Sequence, residues 1–567
     1  MYIYTDFDKH FVHQRAAQFR DQLERNLAGT LTDDDFRPLR LQNGWYIQRY
    51  APMLRIAVPY GELNSTQLRA LARIAREYDR GYGHFTTRQN CQFNWIPLVK
   101  SADVMELLAD VNMHGIQTSG NCIRNITSDC FAGVAADETV DPRPYCEILR
   151  QWSTLHPEFA FLPRKFKIAV HGALEDRAAI AWHDIGLQLL KNDAGDVGFK
   201  VLVGGGMGRT PVIGTVIHDF LPWQQILVFI EAIVRVYNRY GRRDNMYKAR
   251  IKILVKAEGQ RFIDDVNEEY KNILERDLDG SAHIITQAEF DRVSAHFQLP
   301  AGVAPIADSK LQVPSDAPAS FSRWTERNVH AHQIAGYRAV TLSLKRTGQA
   351  PGDATDQQME LAADLADRFS SGELRVSHDQ NLVLPWVKES DLFALWEAAR
   401  AASFATPNIG LLTDMIACPG GDFCALANAR SIPIAAAITE RFDDIDELYD
   451  IGDIDLHISG CINSCGHHHS GHIGILGVDK DGSEWYQVTL GGLDGSAISG
   501  HASTPGKVIG PSFAADEVVD VIEAVLDTYR VQRTAASERF VDTVKRIGLD
   551  PFKTAANAQR RTTAKAE

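Results

Sequence analysis

The chain repeats itself. Residue n and residue n + 291 agree at Gln67 and Gln358, Ala72 and Ala363, Gly81 and Gly372, Gln89 and Gln380, Asn90 and Asn381, and Trp95 and Trp386, with no gap across the stretch. In the first copy Leu68, Leu71, Ala75 and Tyr78 fall on one face of a helix expected over residues 66–78, and residues 92–96 read as an apolar strand. A repeat of this kind is structural evidence before it is functional evidence. It points to two half-chains related by a pseudo-twofold axis.

At 567 residues and 63.0 kDa the chain exceeds one ordinary hydrophobic core, so several domains are expected. Ahead of the first repeat, residues 7–28 have helical periodicity and end at Gly29. Extended segments are expected at 45–50 and 53–59. Buried strands are expected at 165–170, 200–203 and 251–255, with an amphipathic helix near 223–240. Residues 299–322, with Pro300, Pro305, Pro314 and Pro318, read as a linker between the halves. Strands at 455–458 and 473–478 and a helix at 513–529 follow, and the Arg- and Ala-rich end after Ala555 is expected to fray. The class is α/β or α+β.

The formal net charge of -14 disfavours nonspecific nucleic acid or anionic membrane as partners, since both need a dense positive face. Any local group of Arg and Lys is therefore informative. The N-terminal residues lack a basic region followed by an apolar run, and no apolar stretch reaches spanning length, so a soluble, cytoplasmic protein is expected.

Half of the eight cysteines stand in two pairs, Cys418 with Cys424 and Cys461 with Cys465, separated by five and by three residues. Glycines and turn formers surround them, which lets backbone amides approach a bulky inorganic group and point at its sulfurs. Four thiolates on two short loops suit an iron-sulfur cluster. Zinc is the competing reading, although its knuckles favour shorter spacing, and disulfides are a third. Cys91, Cys122, Cys130 and Cys146 lack paired spacing and read as buried or half-buried thiols.

The strings at 417–424 and 458–466 resemble the cluster motifs of the sirohaem-dependent nitrite/sulfite reductases. The string Leu162-Pro163-Arg164-Lys165-Phe166-Lys167 looks like that family's anion-binding strand. On its own it would be a solvated basic strand, with both lysines on one side and Phe166 on the other. The resemblance covers nearly the whole chain and implies a three-domain α+β architecture with the internal pseudo-twofold. It divides the sequence into an N-terminal arm with the first ferredoxin-like half-repeat (1–120), a first sirohaem- and substrate-binding domain (121–298), the linker (299–322), the second half-repeat (323–405) and an iron-sulfur and sirohaem domain (406–567). It also implies that Cys418, Cys424, Cys461 and Cys465 hold a 4Fe-4S cluster, with Cys465 shared with the sirohaem iron.

The same resemblance assigns Arg55, Arg124, Lys165 and Lys167 to the substrate oxyanion, where four cations of like sign would bind an anion and supply protons. It assigns Thr86, Arg88, Gln92, Arg164, Gly205, Gly206, Arg209, Gln380 and Asn463, with Cys465, to the cofactor shell, because sirohaem carries eight carboxylates and calls for many donors. Some members carry Arg where this chain has His84, implying a weaker or pH-dependent carboxylate contact. The implied activity is six-electron reduction of sulfite to sulfide, with nitrite reduction to ammonia as the alternative within the family. Lys167 favours sulfite, since dedicated nitrite reductases commonly have Asn there. A noncatalytic iron-sulfur or zinc-stabilised scaffold is the alternative from another class. In 204–209 Arg209 takes the place of the last glycine of a dinucleotide fingerprint, so no nicotinamide site is expected. Electrons would come from a ferredoxin or a flavoprotein subunit. His467, His468, His469 and His472 are expected to support the cluster loop rather than form a metal site of their own.

Overall fold

The computed structural model describes all residues except 155, 277–282, 308–310, 312, 314–316, 497–499 and 562–567. In it the two copies of the repeat coincide element by element. Helix Ser65–Tyr78 corresponds to helix Asp356–Phe369, strand Tyr82–Phe85 to Glu373–Val376, and strand Cys91–Phe93 to the start of Leu382–Lys388. Both helices begin with one device. The Asn64 side chain accepts the Gln67 N–H while Gln67 accepts the Asn64 N–H, and Thr355 with Gln358 does the same. The repeated glutamine is thus explained by a capping box.

The halves exchange strands. Glu62–Asn64 of the first half pairs with Glu373–Val376 of the second, and Asp353–Thr355 of the second pairs with Tyr82–Phe85 of the first. Each of the two antiparallel five-stranded sheets therefore borrows its last strand from the other half. The two repeat helices pack over them in a single core, with Leu68, Leu71 and Ile74 beside Met359, Ala362 and Leu365. Fully burying each large side chain is worth about 1.5–3 kcal/mol, so neither half has a complete core without the other.

The pseudo-twofold also bears on one expectation about the cofactor shell. Gln89 and Gln380 both adopt a left-handed backbone, with φ of 56° and 61°. Gln89 donates to Val376 O and accepts the Ser128 N–H. Gln380 donates to Phe85 O and Ala417 O and accepts the Ala417 N–H. Its carboxamide is engaged by protein on both atoms, so Gln380 acts as a clip between the halves, a task that its expected place in the cofactor shell does not explain. His84 is engaged likewise: Nδ1 meets Asp353 Oδ1 at 2.7 Å and Nε2 meets the Gln380 amide at 3.1 Å.

Two further sheets carry the chemistry and share one topology. Thr127–Ser128, Ile168–His171 and Ile185–Lys191 run parallel, followed by antiparallel Val197–Val203 and Thr215–Pro222. Ile416–Ala417, Leu456–Ser459 and Ile473–Lys480 run parallel, followed by antiparallel Ser483–Leu490 and its partners. Each sheet has its own core, one under helix Ile226–Tyr240 and one under helix Val518–Gln532. The class is α+β.

Several local expectations need revision. Residues 251–255 begin helix Ile251–Glu258 instead of forming a strand; a short apolar run does not separate the two, and the Lys252–Lys256 spacing fits a helix. The strand after the basic string starts only at Ile168, Phe166 making a single parallel bridge to Ile123. Residues 513–529 divide into strand Phe513–Ala514, a short 3-10 turn and helix Val518–Gln532. The C-terminal end stays ordered past Ala555: helix Asp550–Ala558 is followed by Arg560 and Arg561, which bond to Ser512 O and Glu517, while 562–567 lie outside the described residues. The end of the expected linker is already helical, in Ala319–Asn328. Among the described residues no helix is long and apolar enough to cross a membrane.

Candidate functional site

Cys418 follows strand Ile416–Ala417, and Cys461 comes just after its parallel neighbour Leu456–Ser459. Both cysteine loops therefore leave the sheet at one edge. They touch backbone to backbone: a Cβ on Gly460 would lie 2.6 Å from Gly420 Cα, and one on Gly466 would lie 3.1 Å from Cys418 N. Only glycine permits this approach. It brings the Gly460 N–H to 3.3 Å from Cys418 Sγ. The first half braces the same loops, Gln48 accepting the Ala425 N–H and Arg49 donating to Gly421 O.

All four cysteines are free thiols. Burial, then the neighbouring charge of Cys465, pushes Cys418 up to about 12. Cys424 and Cys461 are raised mainly by burial, with the Cys465 charge again adding to it. Three such raised thiols ionise together with Cys465 only around a polycation. Sulfurs on one zinc at about 2.3 Å stand about 3.8 Å apart. Among the described residues the only His, Cys, Asp or Glu group with three ligand atoms within 4.8 Å of one another lies elsewhere. No three of the four sulfurs therefore lie as close as one zinc would hold them. The histidines after Cys465 do not converge. His469 Nε2 meets Gly208 O at 2.8 Å, His468 Nδ1 meets Ser464 Oγ at 3.1 Å, and His472 faces Asp455 at 3.6 Å. The His467 carbonyl accepts from His457.

Beside Cys465 lies a cationic recess. Arg164, Lys165 and Lys167 are half-buried, whereas Phe166 is buried in the core behind them. The alternation expected of a strand thus holds although no regular strand forms. Main-chain bonds fix the segment: Arg124 N–H donates to Phe166 O and Phe166 N–H to Cys122 O. Asp184, fully buried, accepts the Lys167 N–H at 2.9 Å on one oxygen and Arg250 at 2.8 Å on the other. The Asp184 carboxylate is thereby taken by Arg250. Burial pushes Lys165 down to about 8, with Arg124, Arg250 and Arg164 adding to the fall and the Cys465 charge opposing it. Lys167 is driven further below the usual lysine range by burial, Arg88 and Lys165.

The other expected residues fall around this recess in unequal ways. Arg55 donates through Nε and Nη2 to Gln92 Oε1 at 3.3 and 3.0 Å, and Gln92 is held in turn by Asn94. Gln92 thus orients Arg55. The Arg124 guanidinium is drawn onto the carbonyls of Thr118 and Gly120. Thr86 Oγ1 accepts the Arg88 and Asn90 N–H groups, forming the turn. Arg88 bonds Asn125 O at 2.7 Å through Nη2, while its buried Nη1 has no partner. A Cβ at Gly205 would lie 2.3 Å from Ala181 O, and one at Gly206 would lie 2.7 Å from Arg250 Nη2. Arg209 and Asn463 are exposed.

Sequence reasoning missed Asp184, Arg250 and Lys252, and placed Thr87 only within the polar run beside Arg88. Thr87 Oγ1 donates to Cys465 O at 2.9 Å, and the buried Lys252 ammonium to Met207 O at 2.5 Å and Thr210 O at 2.6 Å. Nothing local marks Asp184 or Arg250.

The repeat does not duplicate the site. Register pairs Ile56 with Cys91 and Leu342 with Leu382, so Arg55 corresponds to Thr341, while the 291-residue offset makes Asp379 the counterpart of Arg88. An anion is favoured on one side only.

Comparison with known proteins agrees with this geometry. The nitrite and sulphite reductase 4Fe-4S domain matches residues 119–274 and 411–563, and the nitrite/sulfite reductase ferredoxin-like half domain matches 48–111 and 333–402. The chain belongs to the sirohaem-dependent nitrite/sulfite reductase family. It is 27% identical to sulfite reductase (ferredoxin) 1 of Mycolicibacterium paratuberculosis over 83% of this chain and 77% of that one. It is 27% identical to the chloroplastic ferredoxin-nitrite reductase of Arabidopsis thaliana over 84% and 75%. The solved NirA protein of Mycobacterium tuberculosis superposes with a TM-score of 0.75 at 25% identity, covering 94% of each chain.

The family's two cofactors are sirohaem and a 4Fe-4S cluster, and the residues present fit both. Four free thiols on two glycine-packed loops suit the cluster. The recess, with an unpartnered guanidinium nitrogen on Arg88 and an excess of cations, suits a polycarboxylate macrocycle.

Proposed function

We propose that this enzyme reduces sulfite to sulfide with six electrons taken from a ferredoxin. The supporting observation is the charge of the recess: two half-buried lysines beside Cys465, with Asp184 already engaged by Arg250. Arg55, Arg124, Lys165 and Lys167 bind the oxyanion. Thr86, Arg88, Gln92, Arg164, Gly205, Gly206, Arg209 and Asn463 form the shell of the macrocycle, Gln92 acting through Arg55. Cys418, Cys424, Cys461 and Cys465 are the cluster ligands, with Cys465 shared between cluster and haem. The domain bounds 1–120, 121–298, 299–322, 323–405 and 406–567 belong to the same proposal.

When bound, sirohaem and the cluster held by Cys418, Cys424, Cys461 and Cys465 would supply the redox chemistry at an iron open to the anion. The chain does the rest. An ammonium held near pH 8, as at Lys165, is mostly protonated at neutral pH yet readily gives the proton up as each oxygen leaves as water. Asp184 and Gln92 hold the segment of Lys167 and the guanidinium of Arg55 in place, so their charge needs little reorganisation during the reaction. Ferredoxin is favoured as donor because the relatives bear that name and residues 204–209 depart from a dinucleotide fingerprint.

Nitrite is the second reading, since relatives named for it match equally well. Electron counting with reduced ferredoxin tests the proposal. Six ferredoxin electrons consumed per sulfide released is the expected result, and sulfite consumption without sulfide overturns it.

A further inference from the structure

Helix Ile226–Tyr240 is apolar on nearly every turn, yet carries Glu231 in its middle at 1% exposure. Burying a carboxylate is costly unless it is paired or ligates a metal. Arg235, one turn further on, meets one oxygen at 2.6 Å, and His283 Nε2 stands 3.4 Å from the other. His156 completes the group: one ligand atom each from His156, Glu231 and His283 lies within 4.8 Å of the other two. The three come from separate places, a corner just before the 3-10 turn Pro157–Phe159, the middle of a helix, and the segment leading to helix Gln287–Ser294.

An ion pair between Glu231 and Arg235 with His283 nearby would account for the carboxylate alone. It gives no reason for the second imidazole. His156 stacks on Phe159 at 3.8 Å between ring centroids and Trp152 lies edge-on to both imidazoles, so the group sits against an apolar wall. Among the described residues the polar contact of the His156 ring is long, 3.3 Å from the Glu158 N–H to Nδ1.

We propose that His156, Glu231 and His283 form a site for a divalent transition metal, zinc by donor chemistry. Two imidazoles and one carboxylate suit zinc and are poor ligands for calcium or magnesium, and the fourth position would take water. Arg235 is then the partner that orients the ligating carboxylate. Zinc at about 2.0–2.2 Å from each ligand sets them about 3.3 Å apart, so the group contracts by at most about 1.5 Å on binding. The ion would tie the corner ahead of the Leu162–Lys167 string to the helix behind its sheet. It is separate from the cysteine loops and from the catalytic recess.

The test uses purified holoenzyme dialysed against zinc and then against zinc-free buffer, with metal content measured by mass spectrometry and the zinc K-edge spectrum recorded. Retention of one zinc with nitrogen and oxygen neighbours is expected. Affinity should fall about tenfold or more in both His156→Gln and His283→Gln, with the sirohaem absorption unchanged as the check on folding. Should either variant fail to assemble, the wild-type spectrum alone decides. Sulfur neighbours, no retained zinc, or undiminished retention in either variant that assembles would overturn the proposal.

Discussion

Replacing Lys167 with Asn removes the ammonium that would face a bound anion while leaving the Asp184 bond to its backbone intact. Sulfite near neutral pH is a mixture of monoanion and dianion and nitrite is a monoanion, so the sulfite dianion presents one more unit of charge to that ammonium. At about 4 Å and an effective dielectric near 20, one such unit is worth about 4 kcal/mol. Part of that is lost, because burial and the charges of Arg88 and Lys165 already resist protonation of Lys167, and the anion must first overcome this. A net difference of about 1–3 kcal/mol remains, the usual size for a charge-assisted hydrogen bond, or roughly 5- to 150-fold in relative efficiency. The assay is steady-state turnover of both variants on both anions with reduced ferredoxin. Lys167→Asn should lower kcat/KM for sulfite by that factor more than for nitrite. Equal losses on both substrates would refute the reasoning.

Cys465→Ser should abolish turnover and change the sirohaem absorption, because a hydroxyl is a poor replacement for a shared thiolate; an unchanged spectrum with full turnover removes Cys465 from the bridge. Gln380→Leu should destabilise the protein by about 3 kcal/mol, since it strands Phe85 O and both main-chain groups of Ala417. Urea unfolding should show this with sirohaem content unchanged in the folded protein, and selective loss of sirohaem would return Gln380 to the cofactor shell. With Lys165 held near 8 against 10.5, turnover should fall as pH rises through about 8, where the proton is lost. Between those values the unfolded chain binds more protons, so this group makes the anion-free protein more stable as pH rises, and pH-dependent denaturation with and without sulfite checks the sign.

The repeat and both cysteine loops were legible in the sequence because each rests on local chemistry: capping boxes, left-handed turns, and glycines that a side chain would not replace. Period-two alternation placed Lys165 and Lys167 on one side and Phe166 on the other, an arrangement that survives without a full strand, whereas their assignment to the anion came from the family resemblance. The structural task that Gln380 shares with its repeat partner Gln89 was not legible, because a clip and a ligand look alike in one dimension. Residues 251–255 were misread because five apolar-rich residues carry too little periodicity. Asp184, Arg250 and Thr87 reach the site only through the tertiary fold, Asp184 bonding a residue seventeen positions away and Thr87 one 378 away.

The central claim is the preference for sulfite, and direct comparison of kcat/KM for sulfite and nitrite on the wild-type enzyme with reduced ferredoxin tests it. The charge of the recess predicts the higher value for sulfite. A value far higher for nitrite would contradict the assignment.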